Sequence, residues 1–459
     1  MPEQNVLVID DEQHLCELLT EILSRAAADR EPRRRVADDA RRRRRSGRPA
    51  YCPGAPQSAG AQLAHRRPPH VPHPSARFAA APGPRMFAGA LLLAGMSAAA
   101  AGRAATAAPS RPTPSVPQLP ALPPAAALLD SADARASALP RLRSLLVWHG
   151  GRLVRERYYR GASAARPANV KSASKSIVSA LVGVAIAEGA LPGVRQPLGA
   201  ALPAAVARAA TGRAGQAEHL RAVTVEDLLT MRSGLSSTSG PFYGRWVASG
   251  DWVGAALARP VVAPAGHAGG PMIYSTGNTH VLSAVLARAT GESLYRYYAR
   301  ALARPLGITP RAWPADARGV YFGGNEMRLT PREMVTFGRL YLEGGRAPAG
   351  TPAAGRRLVP RAWVDSSWAP RTRSPWSGEE YGYGWFLHTV AGARAAHPVR
   401  YAWGYGGQFI FVAPTLGLVM VTTSDPDAPR DPGHLGAIRA ILERYVVPYA
   451  EAAAAPTTG

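Results

Sequence analysis

Ser172 and Lys175 stand three residues apart at the head of an almost wholly apolar run. Positions i and i+3 share one helix face, a turn apart. A hydroxyl and an amine so placed can serve as nucleophile and base, provided the amine is neutral enough to take the proton. Burial beside polar or positive groups favours the neutral form. The chain of 459 residues contains two lysines, Lys171 and Lys175, and arginine fills its other strongly cationic positions. Acyl transfer also needs a second group to protonate the leaving atom and two N–H groups facing the developing oxyanion. Residues 273–278 place Tyr274 in a polar turn just before a helix. Residues 403–408, Trp-Gly-Tyr-Gly-Gly-Gln, form a glycine-rich lead into a strand, where backbone can approach a substrate closely. Taken singly, Tyr274 reads as a packing tyrosine with a satisfied hydroxyl, and Gly406-Gly407 as a bulge or turn.

These residues need elements to hold them. Residues 170–189 are apolar on every side after the polar start and end at Gly189, which predicts a buried helix through the middle of a domain. Residues 144–149 and 152–159 flank Gly150-Gly151 and predict a β-hairpin. The segment from Thr224 to Leu235 predicts a short capped helix ending at Gly234. Glycine, proline and tryptophan across 240–270 predict cleft-lining loops. Residues 279–290 and 293–302 read as helices. Thr330-Pro-Arg-Glu333 is a capping box with proline at the first helical position; its helix carries Met334, Phe337 and Tyr341 on one face and stops at Gly344-Gly345. Residues 381–387, 408–412 and 418–423 predict strands, the last two joined by a turn at Pro414. Leu435, Ile438, Leu442 and Tyr445 mark a closing amphipathic helix. Strands at both ends with helices between them predict an α+β domain with one antiparallel sheet and a helical insertion.

The formal net charge is +23, but the arginines are scattered and no zinc-finger, helix-turn-helix or aromatic RNA-binding signature accompanies them. The reading is therefore no nucleic acid. Cys16 and Cys52 are the two cysteines, so no disulfide framework or thiolate metal site can form after residue 52. No G-x-S-x-G elbow and no H-E-x-x-H motif occurs, and the expectation is that no metal or organic cofactor is needed. His267, His280, His388 and His397 read as surface or structural residues.

Residues 5–24 resemble the first strand and helix of a response-regulator receiver domain, with Asp10 and Asp11 as the acidic pair. The segment lacks a matching phosphate-accepting Asp, and no lysine occurs before Lys171. Residues 1–85 therefore read as a receiver-like fragment joined to a disordered Arg/Pro-rich segment outside the working protein. Residues 86–108 read as a signal peptide with a small-residue cleavage site at Ala105-Thr106-Ala107, and 109–129 as a proline-rich linker. The expected folded domain spans 130–450, followed by a tail, 451–459. A periplasmic or secreted protein with no stable membrane span after signal cleavage follows from that reading.

In order along the chain, Ser172-Ala-Ser-Lys175, the segment 228–235, Tyr274-Ser275, the segment 328–332, Tyr381-Gly-Tyr-Gly-Trp385 and Gly404-Tyr-Gly-Gly-Gln408 resemble the serine hydrolases of the β-lactamase/penicillin-binding-protein superfamily. The likeness spans roughly residues 140–450 and is greatest to class C β-lactamases, related esterases and DD-peptidases, and 6-aminohexanoate-dimer hydrolases. It implies the β-lactamase/transpeptidase-like fold, a sheet flanked by helices plus a helical subdomain. It implies Ser172 as the acylated nucleophile, Lys175 as its base and Tyr274 as the second proton-transfer group. The N–H groups of Ser172 and Gln408 would form the oxyanion hole, and Thr276, Tyr405, Gly406 and Gly407 would contact substrate. Two departures stand out. The Asn of the Tyr-x-Asn motif is Thr276 here, and the Lys-Thr-Gly strand motif is Tyr405-Gly406-Gly407. Without that lysine, the expected substrate is an ester or short amide, small-molecule or peptide-like, rather than a β-lactam; an arginine such as Arg400 is a candidate replacement cation. Two other readings of the chain are a weakly catalytic cell-wall binding protein of the same fold and a two-component signalling protein.

Overall fold

The computed structural model describes residues 124–212, 215–265, 270–429 and 431–454. The receiver-like fragment, the signal peptide with its cleavage site and His267 lie outside the described residues.

Helix α1 (Ala125–Ser137) leads into the hairpin of β1 (Leu142–His149) and β2 (Arg152–Tyr158), then a short β3 (Ala168–Asn169). A single 3₁₀ turn (Lys171–Ala173) runs directly into α2 (Ser174–Ala187). A helical region follows, with α3 (Val225–Leu229) and α4 (Thr276–Thr290), then β4 (Arg328–Leu329) and α5 (Pro331–Leu342). The chain then builds β5 (Thr372–Arg373), β6 (Glu380–Tyr381), β7 (Phe386–Ala391), β8 (Ala396–Gly404), β9 (Gln408–Ala413) and β10 (Leu418–Ser424), and closes with α6 (His434–Ile441) and α7 (Val447–Ala453).

Eight strands form one antiparallel sheet in the order β2-β1-β10-β9-β8-β7-β6-β5. Its first and last long strands in sequence, β1 and β10, lie side by side, with Leu146 opposite Val421. Both termini therefore supply one sheet, and the helical region is inserted between them. The sheet is buried on both faces, which explains its nearly continuous apolar strands. Alternation sorts them by twos: Ile410, Val412, Val419 and Val421 join the core that contains α2, while Phe409, Phe411, Leu418 and Met420 join a second core with α1 and α7. On the first face α5 lies so close that a Cβ on Gly338 would fall 2.7 Å from Val419 Cγ1.

Several boundaries differ from the sequence reading. Helix α1 starts inside the stretch read as linker, because Leu128, Leu129, Ala132 and Ala136 give it a buried face; α7 likewise continues through Ala453 into the stretch read as tail. The stretch 381–387 is two strands, since the chain turns at Gly384, whose φ is +79°. Helix α3 ends at Leu229, short of Gly234. The region read as loops between 240 and 270 contains helices at Tyr243–Val247 and Trp252–Leu257, the second capped by Asp251 accepting from Gly254 N–H. Helix α4 begins at Thr276, three residues early. The helices at Leu294–Tyr298 and α6 each widen into a π-helical turn, at Ala299–Ala303 and Leu442–Val446. No helix among the described residues is long and apolar enough to cross a membrane.

Candidate active site

The chain before α2 is held on both sides. Asn169 pairs with Arg328 across the β3–β4 ladder, and Val170 N–H donates to Met327 O at 2.9 Å. Ser172 then sits in the 3₁₀ turn, half-buried, and Lys175 in the first turn of α2, 3% exposed. Residues i and i+3 eclipse in a 3₁₀ turn, and Lys175 Nζ donates to Ser172 Oγ at 2.8 Å. The same amine donates to Gly324 O at 3.0 Å and Thr276 Oγ1 at 3.3 Å. It lies over the Tyr274 ring, 4.8 Å from the centroid, where the negative face of the ring attracts it. The other two serines of the segment point elsewhere. Ser174 Oγ donates to Lys171 O at 2.6 Å, and Ser176 Oγ donates to Gly384 O at 2.5 Å.

Tyr274 and Thr276 owe their positions to a polar run that the sequence reading passed over, residues 236–239 (Ser-Ser-Thr-Ser). Ser237 Oγ donates to Tyr274 O at 2.7 Å, Thr276 N–H donates to Ser239 Oγ at 2.9 Å, and Gly277 N–H donates to Thr238 Oγ1 at 2.8 Å. The run thus takes up donors at the start of α4 that the helix itself cannot satisfy. Its signal was available: four consecutive hydroxyl residues before a glycine, Gly240, are a candidate capping segment. Thr276 itself is 2% exposed and engaged by Lys175 and Ser239. The structure therefore places it beneath the Ser–Lys pair, where the sequence reading had it contacting substrate.

The hairpin tip at 404–408 approaches from the sheet. A Cβ on Gly404 would fall 2.1 Å from Val170 O and 3.1 Å from Lys171 Cβ, so only glycine permits this contact with the segment that carries Ser172. Gln408 lies across the ladder from Gly404 and is fully buried; its carboxamide accepts from Ser424 N–H at 3.1 Å and donates to Ser424 O at 2.8 Å. Gly406 and Gly407 take φ of +80° and +102° in the turn. Gly407 O accepts from Thr422 Oγ1 at 3.0 Å and Ser424 Oγ at 3.3 Å, and Ser424 Oγ in turn bonds His434 Nε2 at 2.9 Å. Desolvation, with the nearby Arg141 guanidinium adding to it, lowers the His434 pKa to about 4, so its ring is neutral at neutral pH. The Tyr405 backbone follows Gly404 directly at this tip. Arg400 is placed lower on β8, where it donates to His388 O at 3.3 Å.

Three of the histidines singled out from the sequence are held by partners within the fold. His280 is fully buried and bonds Asp316, His388 bridges Glu379 and Glu443, and His397 bonds Glu451 and Thr415. Among the described residues, no group of three or more His, Cys, Asp or Glu side chains could hold a metal ion.

The family model described as Beta-lactamase matches residues 142–443, about two thirds of the chain. No curated protein sequence matches. Among solved structures, a protein from Bacillus anthracis described as a 6-aminohexanoate-dimer hydrolase is similar at 17% identity and a TM-score of 0.55, over 71% of this chain and 81% of that one. A simvastatin synthase variant from Aspergillus terreus is similar at 19% identity and a TM-score of 0.52, over 71% and 99%. A family VIII carboxylesterase is similar at 18% identity and a TM-score of 0.51, over 69% and 96%. These likenesses show the fold. With the match over the whole sheet and inserted helices, the chain belongs to the beta-lactamase family of serine hydrolases.

Proposed function

We propose that this protein cleaves an ester or short amide through a covalent acyl intermediate on Ser172. The observation that supports this most directly is the 2.8 Å contact between Lys175 Nζ and Ser172 Oγ in a nearly closed setting. In its neutral form Lys175 takes the serine proton as Oγ attacks the carbonyl carbon. Tyr274, whose ring lies against the same amine, gives its hydroxyl proton to the leaving atom and is reprotonated by Lys175, which is thereby neutral again. Water then attacks the acyl carbon, giving its proton to the Lys175–Tyr274 pair, and the pair returns that proton to Ser172 Oγ as the acyl–oxygen bond breaks and the acid leaves. Ser172 N–H is one oxyanion donor. The second comes from the 404–408 hairpin: Gln408 is the donor that the family resemblance implies, but the contact of Gly404 with Val170 and Lys171 favours Tyr405 at the β8 end.

The motif lysine that would hold a β-lactam or peptide carboxylate is absent at Tyr405, and Arg400 is engaged with His388 O. This favours an uncharged ester or amide over a β-lactam. The apolar run from Met86 and the small residues 105–107 support export. Hydrolysis of p-nitrophenyl butyrate and of a chromogenic cephalosporin by the full chain, beside Ser172→Ala, tests the reading. Ester turnover that vanishes in the variant and exceeds cephalosporin turnover is expected. Ester turnover that persists in the variant overturns it.

A further inference from the structure

The residue before the nucleophile has an unusual backbone. Lys171 has φ of +48°, the left-handed region that side chains with a Cβ rarely adopt. The turn does not close by itself. Lys171 N–H donates to Asn169 Oδ1 at 2.9 Å, and Asn169 Nδ2 donates to Glu326 Oε2 at 2.7 Å. The other carboxylate oxygen, Glu326 Oε1, receives Lys171 Nζ at 3.3 Å. Asn169, Glu326 and Lys171 therefore form a closed triangle, with the Lys171 and Glu326 side chains only 20% and 23% exposed. Glu326 itself has φ of +68°. Two residues before it, Gly324 O accepts from Lys175 Nζ at 3.0 Å. One segment, 324–326, thus grips both lysines of the chain, one through a carboxylate and one through a carbonyl. Val170 O and Lys171 Cβ also lie close against Gly404.

We infer that this triangle holds the left-handed turn that aims Ser172, and that Asn169 and Glu326 are positioning residues for acylation. The inference rests on Ser172 being the nucleophile. A glycine at 171 would adopt the same φ at no steric cost. That substitution should therefore make the triangle dispensable, which a merely stabilising ion pair would not predict.

The experiment measures the saturating rate at which a fluorophosphonate labels Ser172 in the full chain, with half-saturation and unfolding temperature recorded alongside. Glu326→Ala is expected to slow the saturating rate about tenfold, with half-saturation little changed, because the turn then bears its own left-handed cost of about one factor of ten. Lys171→Gly alone is expected to label at close to the wild-type rate. The double variant Glu326→Ala/Lys171→Gly is expected to recover to within about threefold of wild type. The inference is overturned if Glu326→Ala labels within about twofold of wild type, or if Lys171→Gly fails to rescue it. Should Glu326→Ala not fold, Asn169→Ala with and without Lys171→Gly gives the same comparison. Undiminished labelling of Ser172→Ala would instead sink the nucleophile assignment, a separate outcome.

Discussion

Lys175 Nζ stands 2.8 Å from Ser172 Oγ although the two residues belong to different kinds of helix, a 3₁₀ turn and the α-helix that continues it. The tighter winding brings i and i+3 into register, so the pair is set by local geometry once the segment is buried. In the proposed mechanism, removing the amine removes the base. Lys175→Met is expected to lower kcat/KM for an ester by about 10²–10⁴-fold, the usual worth of general base catalysis. Its unfolding temperature should not fall correspondingly, because an apolar chain of similar length replaces a buried amine. A steady-state assay and a thermal melt on the same preparation check both halves.

Thr276 contacts Lys175 from below at 3.3 Å and is buried. Thr276→Val keeps the shape but removes the acceptor, and is expected to lower kcat about tenfold with KM nearly constant. Thr276→Ser restores the hydroxyl and should recover most of the loss. A rise in KM with kcat unchanged would instead return Thr276 to the substrate-contacting role that the sequence suggested.

Helix α2 is legible in the sequence because a run with no polar face has only one place to go. So are the β1–β2 hairpin and the capping box at Thr330, where the Thr330 and Glu333 side chains each satisfy the other's backbone N–H, as the spacing requires. What stayed hidden depends on contacts between distant segments. Nothing local in Asn169 or Glu326 announces that they meet residues from other parts of the chain, and the hydroxyl run 236–239 marks a capping segment without showing which helix it serves. The strand β8 was obscured by Pro398 and Arg400, tolerated because their positions face less buried surroundings than Val399, Tyr401 and Ala402. Helix α1 was masked by the proline-rich stretch preceding it.

Packing around α2 gives a prediction about stability. A Cβ on Gly183 would fall 2.3 Å from Trp363 Cγ, with the indole lying flush on the helix. Gly183→Val must displace that ring, and is expected to destabilise the fold by about 1–3 kcal/mol or more. Urea unfolding measures it; a neutral effect would show that the indole can move aside freely.

His434 predicts a loss of stability in acid. Its pKa is lowered to about 4 from an ordinary 6.5, first by desolvation and then by Arg141. A depressed folded-state value means that its neutral form contributes fully above pH 6.5, and that stability is lost as pH falls toward 4. Over that window the loss is about 3 kcal/mol. His434→Gln should flatten the fall in urea-unfolding free energy between pH 7 and pH 4.5. An identical slope in both proteins would place the acid sensitivity elsewhere.

Direct detection of the acyl-enzyme tests the central claim. The full chain is mixed with p-nitrophenyl butyrate, quenched in acid within milliseconds to seconds, digested and sequenced by mass spectrometry. The account predicts a butyryl group on Ser172, formed at a rate no slower than turnover and absent from Ser172→Ala and Lys175→Met. A butyryl group on another residue that turns over at the catalytic rate, or full ester hydrolysis by Ser172→Ala, would contradict it.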